Sequence, residues 1–365
     1  MKRFAVLGAL LSALAVCLTA HAASVDQTTG KPDIKSAGSL AFGPEGVLFV
    51  GDQLSAAVFA IETGDNAAAE KSAVDVAGID AKIAAMLGTT AEDILINDMA
   101  VNPASGNVYL SVSRGRGPDS IPVILKVSGK GEISEVALEK VAYSKAEMPN
   151  PPENAEVGEG RRRRNNRLES ITDLAFIDDQ LYIACLSNEE FASQFRSIPY
   201  PFEESKEGTA VEIYHGSHGQ YETRSPIRTF TAVEIDEAPH LLAAYTCTPL
   251  VKIPIAMLRP GEKVKGDTVA ELGNHNRPLD MIVYSKNGAD YVLMANNARG
   301  LMKIPMANIG EIAPIVDRVP DKAGVEYETI EAGNGVVQLD QLDKDHALTL
   351  VQSDSGFDLK TMPLP

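Results

Sequence analysis

Residues Asn276 to Met306 read NRPLDMIVYSKNGADYVLMANNARGLMKIPM, and the fold follows from how often that pattern returns. A short apolar run opens at Asp280, a turn follows at Asn287-Gly288, a second run ends in Asn296-Asn297, and a third closes in Lys-Ile-Pro. Short runs of this kind, parted by Gly, Asn and Asp, are strand and turn signals. The same unit lies beside Ile96 to Ser113, INDMAVNPASGNVYLSVS, and Ile171 to Asn188, ITDLAFIDDQLYIACLSN. Asp98, Asp173 and Asp280 then share one position, and in Ser39 to Gln53, SLAFGPEGVLFVGDQ, Ser39 takes the matching place. Thr231 to Ile255 repeats the second and third runs, with LVKIP against LMKIP, and Val336 to Pro363 is a degenerate sixth copy.

Repetition of a unit too small to bury its own apolar faces is the mark of a repeat architecture. The expectation is an all-β propeller of six four-stranded blades beginning near Ser39, Ile96, Ile171, Phe230, Arg277 and Val336. Seven blades is the alternative, because Glu204 to Arg228 is long for outer strands and links. Blade 1 takes Leu40 to Phe42, Val47 to Val50 and Ala57 to Glu62, with Ala73 to Ala77 as its fourth strand. A short helical insertion follows before blade 2, with Ile79, Ile83, Met86 and Leu87 on one helical face. The sixth copy stops at its third strand, so Lys31 to Lys35 is expected to supply the missing outer strand and close the ring.

The chain opens as an address: Lys2 and Arg3, an apolar run from Phe4 to Ala20, and a small-x-small site at Ala20-His21-Ala22. Residues 1–22 read as a signal peptide and 23–365 as one domain, exported to the periplasm or beyond. Cys17 does not make a lipoprotein signal, since Val16 stands where a small residue is needed. Of 33 basic residues, Lys2 and Arg3 leave with the leader, so 31 oppose 50 acidic ones, a formal −19. That balance opposes binding of nucleic acid, which runs on phosphate neutralisation, and suits a soluble acidic monomer. No stretch after the leader is apolar enough for about 20 residues to span a membrane. Cys185 and Cys247 remain after cleavage, and a disulfide between them and two free thiols both stay open.

Lys145 to Ser170, KAEMPNPPENAEVGEGRRRRNNRLES, has no period and is rich in Pro, Glu and Gly. It reads as a flexible loop insertion whose glutamates offset Arg161 to Arg164.

The aspartate-led starts DMAV, DLAF and DMIV, the second strands VYLS and LYIA, and the third strands LVKIP and LMKIP resemble exported propellers of the NHL, YVTN and gluconolactonase-like superfamily, six-bladed and TolB-like. The resemblance covers nearly the whole mature chain and implies ligand binding on one face around the channel. The chain departs from tryptophan-docked quinoprotein propellers in having no Trp. The metal set of gluconolactonase-like enzymes does not transfer residue by residue.

Links from each outer strand to the next inner strand, and from second to third strands, are where the copies differ, and per-repeat variation marks a binding face. The candidate ligand residues are Asp98, Asp173 and Asp280, then Asn296, Asn297 and Arg299 in one tight loop, with Arg277, His275, Asn188 and Glu189 nearby. The three aspartates are candidate ligands for a divalent metal, or else caps of their own turns. His215-Gly-Ser-His218 has loose metal spacing and reads first as an exposed turn. The leading reading is a binding protein for a small polar molecule or an exported protein. The alternatives are a metal-dependent hydrolase or lactonase using channel carboxylates, and a redox enzyme or accessory with an unseen cofactor.

Overall fold

The computed structural model describes residues 27–160, 163–247 and 249–365. The expected signal peptide, Arg161 and Arg162 lie outside the described residues. Six sheets stand around a central channel, and their inner strands are Leu40–Phe42, Ile94–Val101, Asp173–Ile177, Ile227–Ile235, Pro278–Lys286 and Val336–Gln341. The stretch behind the seven-blade alternative holds Thr209–His215, the fourth strand of blade 3, and a short return strand Gln220–Glu222. Second strands such as VLFVGD, QLYIACL and ADYVLMAN are continuous apolar runs because both faces are covered by neighbouring blades.

Around the channel the blades do not follow chain order. Blade 1 touches blades 2 and 3, and blade 6 touches blades 5 and 2, so the ring runs 3, 4, 5, 6, 2, 1 and back to 3. The apolar clusters keep the same order. Leu40, Val50 and Phe59 of blade 1 join Ala100 and Tyr109 of blade 2, while Phe49 and Val58 join Ile171 and Ile183 of blade 3. Met99 and Leu110 of blade 2 join Leu348 and Leu350 of blade 6.

This order corrects two expectations. Ala73 to Ala77 does not complete blade 1: Val76 exchanges N–H to carbonyl bonds of 2.8 and 3.0 Å with Leu359 on the open edge of blade 6. Blade 2 follows, and Val141–Glu147 then returns to pair with Ala57–Glu62 as the fourth strand of blade 1. Nor does Lys31 to Lys35 reach blade 6. It runs beside blade 1, where the Asp52 carboxylate accepts from the Lys35 and Ser36 N–H groups at 2.7 and 3.0 Å. Thr28–Gly30 covers that blade's outer edge by pairing with Val141–Glu147. The reason is the position of blade 2 between blades 6 and 1: a chain crossing to it passes the unpaired edge of blade 6 and satisfies it.

Other blades are sealed by the same device. Lys263–Lys265, from blade 4, pairs with the outer strand of blade 3, and Lys322–Gly324, from the blade 5 loop, pairs with Asp267–Leu272 of blade 4. Gly324 is required there, because its φ is +78° and a Cβ would lie 2.0 Å from the Val269 carbonyl oxygen. The helix spans Ile79–Leu87 and buries Ile79, Ile83 and Ala84 against blades 2 and 6, whereas Met86 is exposed. No helix among the described residues is long and apolar enough to cross a membrane.

Lys145 to Ser170 is more fastened than its composition suggests. Its first three residues end a strand, and Glu156–Val157 pairs with Arg164–Asn165. At its base Arg167 Nε donates to the Pro152 carbonyl at 2.6 Å and Ser170 Oγ to the Gln53 carbonyl at 2.9 Å.

Candidate functional site: the carboxyl tier of the channel

Each inner strand enters the channel at the position where the repeats carry aspartate. The Asp98 carboxylate accepts from the Leu40 N–H at 2.6 Å, Asp173 from Phe230 at 2.9 Å, and Asp280 from Leu339 at 2.9 Å. In every case the donor belongs to the next blade around the ring, so these side chains stitch blade to blade. Asp173 and Asp280 also accept from the N–H of the following residue, both at 2.8 Å. The matching positions in blades 1, 4 and 6 are Ser39, Thr229 and Gln338, by strand register and by these bonds. Ring order therefore alternates acid with neutral residue all the way round: Asp173, Thr229, Asp280, Gln338, Asp98, Ser39.

A fourth acid joins them. Asp340 sits two residues beyond Gln338 and repeats the same contact one step nearer the turn to the second strand, accepting from Val101 of blade 2 and from Gln341, both at 2.7 Å. Sequence comparison missed it because its copy is degenerate and the acid is displaced by two residues.

The four carboxyls line a cavity of about 630 Å³. It runs from their tier toward the turns that join first and second strands, where Lys71, Asp343 and Lys344 stand at its mouth. Each acid is open to the cavity, yet it is surrounded by protein on a longer scale, and that mass disfavours the charged form. Burial pushes Asp98 up to about 8, aided by the charges of Asp173 and Asp340 and opposed by backbone N–H groups. Burial likewise raises Asp173 to about 7. Asp340 rises to about 6, held back by its two N–H donors and by Lys71. Asp280 is raised by burial and then by the Asp98 charge. Acids whose charged form is disfavoured by burial inside a cavity mark a candidate site.

The cavity opens on the face opposite the loop-rich one, and the remaining candidates do not line it. Asn296 is buried and holds its own turn, its amide oxygen accepting from Ala298 and Arg299 N–H at 3.0 and 3.2 Å and its Nδ2 donating to Asn276 at 2.8 Å. Asn297 accepts from the Arg277 N–H at 2.6 Å, and Arg299 donates to the Asn274 carbonyl at 2.9 Å. His275 is exposed in the same loop. Asn188 and Glu189 lie on the rim of blade 3, where Glu189 accepts from Gln194 at 2.8 Å. The amide groups of this loop hold its own turn, while the buried Arg299 Nε has no hydrogen-bond partner among the described residues.

The oxygens of Asp98, Asp173 and Asp280 are not gathered within 4.8 Å of one another. Among the described residues the one set of three or more candidate ligands within 4.8 Å of each other is His215, His218 and Glu222. His215 is not in an exposed turn: it is buried, and both imidazoles meet the Glu222 carboxylate. Burial would raise Glu222, but hydrogen bonds from His215, His218 and Ser225 outweigh it and hold the acid well below its ordinary range. Cys185 and Cys247 are free thiols, so the disulfide reading is not realised. The Cys185 thiol instead donates to the Gln194 carbonyl at 3.6 Å.

No family of known sequences matches the chain, and no curated protein does. Solved structures do resemble it. One is a protein described as an oxidoreductase (glucose dehydrogenase) from Thermus thermophilus, at 11% identity over 93% of this chain and 100% of that one, TM-score 0.33. Another is the PQQ-bound aldose sugar dehydrogenase of Streptomyces coelicolor, at 12% identity over 93% and 100%, TM-score 0.34. A third is the extracellular region of plexin A4, at 9% identity over 94% and 40%, TM-score 0.41. At such identities the likeness is one of fold alone.

Proposed function

We propose that this protein is an exported propeller that binds a small polar ligand in its channel, one bringing hydrogen-bond donors or a positive charge to the carboxyl tier. One observation carries the reading: four carboxyls from different blades converge on a cavity of small-molecule size. A carboxylate offers about four acceptor sites, and the backbone N–H groups use only part of them. A cationic group entering the cavity offsets the burial that disfavours their charged form, so binding and deprotonation are linked. Lys71 and Lys344 at the mouth suit an acceptor-rich or anionic far end. Amines carrying hydroxyl or carboxylate groups fit both ends.

Calorimetry against polyamines, amino sugars, amino acids and neutral sugars, in buffers of different ionisation enthalpy, tests this. Binding by an amine should release protons, and an Asp98→Asn, Asp280→Asn double variant should lose it. A ligand bound equally well by that variant places the site elsewhere. A second reading, an acid–base enzyme, draws on the same raised acids, since a group poised near neutral pH serves proton transfer. Turnover of any bound compound, lost in Asp173→Asn with affinity retained, would favour it.

A further inference from the structure

A second cluster lies away from the channel, where the outer part of blade 3 meets blade 4. Thr209–His215 turns through Gly216, Ser217, His218 and Gly219 and returns as Gln220–Glu222. The N–H groups of His218 and Gly219 both donate to the His215 carbonyl, at 3.1 and 2.8 Å, so the turn is one tight coil. Antiparallel register sets Ile213 opposite Glu222, which puts His215 and Glu222 diagonally on one face of the hairpin. The coil folds His218 back over His215, with ring centroids 3.8 Å apart. As a result His215 Nδ1 lies 3.0 Å from one Glu222 oxygen and His218 Nδ1 lies 2.5 Å from the other.

Blade 4 closes over this corner. Glu271 is buried and accepts from the Gly216 N–H at 2.5 Å, which anchors the turn.

We propose that His215, His218 and Glu222 form a binding site for a divalent transition-metal ion of the zinc class. Two imidazoles and one carboxylate are the donors that zinc, copper and nickel favour, whereas magnesium and calcium want oxygen alone. Three protein ligands leave a fourth position open. The fold fixes His215 by burial and leaves His218 half-exposed, so the set combines a rigid base with an entry path. A bound ion takes the place of the hydrogen bonds that now join the two Nδ1 atoms to Glu222, and each neutral ring then carries its one N–H on Nε2.

The test uses the metal-free mature protein titrated with Zn²⁺. One ion per chain should bind, Tm should rise and return on adding chelator, and Co²⁺ should give visible absorption bands of a site containing nitrogen ligands. His218→Ala and Glu222→Gln should each weaken binding by at least about tenfold. His218 is half-exposed, so its variant keeps the core intact, and Asp280→Asn should bind zinc as the wild type does. That last comparison keeps this site separate from the channel reading, since either can fail alone. Absence of one-to-one zinc binding overturns the proposal. So does zinc binding unchanged in His218→Ala, or Mg²⁺ matching zinc in its effect on Tm.

Discussion

The channel tier and the rim hairpin both enclose carboxyl groups, and the two places answer burial in opposite ways. In the channel the donors are backbone N–H groups and the near neighbours are other acids, so burial wins and Asp98, Asp173 and Asp340 rise to about 8, 7 and 6. At the rim, Glu222 receives two imidazoles and a hydroxyl, which overcome burial and hold it low. Desolvation acts on both. The sign is decided by whether the partners can carry positive charge and whether the neighbours carry negative charge. A repeat fold therefore places acids by its own geometry, while their protonation depends on what the non-repeating residues supply.

The largest expected effect is on the pH dependence of stability. The channel acids have folded values above the ordinary 3.8, so their protonation favours the folded chain. Their contribution is fully present below about pH 4 and is lost as pH rises through about 6 to 8, at about 1.4 kcal/mol per pKa unit for each group acting alone. Glu222 works the other way, contributing above its ordinary 4.5 and losing that contribution as pH falls. Chemical denaturation of the ligand-free protein across this range should show stability declining toward alkaline pH. A profile that rises steadily from pH 5 to about 9 would break the contrast between the two regions.

Glu222→Gln should come next, at about 1 to 3 kcal/mol near neutral pH, because a charged acceptor shared by two imidazoles is removed. The loss should shrink in acid, and a loss that stays constant across pH would mean the carboxylate is not the active partner.

Asp280→Asn has a smaller effect that depends on pH. Below about pH 5 it should cost about 1 kcal/mol, since an amide cannot accept from both Met281 and Leu339 through two oxygens. At about pH 9 the cost should be smaller, because the amide removes one member of a set of acids that oppose one another's ionisation. Urea midpoints at the two pH values measure this difference. Asn296→Ala, which only unfastens a turn, should cost about 1 kcal/mol at every pH and so serves as the control.

The smallest effect is expected for Lys71→Met. This lysine lowers Asp340 by charge across the cavity mouth, so its loss should move that acid upward while leaving stability within about 0.5 kcal/mol. Carboxyl titration by NMR should see it. No movement of Asp340 would mean that solvent at the mouth screens the pair.

Much of the tier was legible because Asp98, Asp173 and Asp280 head runs that align without gaps. Asp340 was not, being two residues out of step in the weakest copy, and Lys71 was not, because the segment that carries it has no period. The loop residues Asn296, Asn297 and Arg299 were read as recognition elements, since side chains that bind a ligand and side chains that hold a turn are the same chemical types. Only hydrogen-bond partners separate the two. Glu222 was missed for a related reason: its distance along the chain from His215 becomes closeness only once the hairpin register is known.

The sequence by itself pointed to six copies, with seven as the alternative, and determined which segments are their inner, second and third strands and that an acid opens three of them. These are local properties, written in the spacing of apolar residues and turn formers over a few residues. Only the tertiary structure decided the order of the blades around the ring, the exchange of outer strands, and with them the alternation of Asp98, Asp173 and Asp280. Blades 2 and 3 are neighbours in the chain, and it is the placing of blade 1 between them that parts their aspartates. A strand edge presents the same N–H and carbonyl groups to any segment that reaches it, and one apolar blade face is chemically much like another. Which of them meet is therefore settled by the packing of the whole closed ring, a sum over distant contacts that no local stretch of sequence contains.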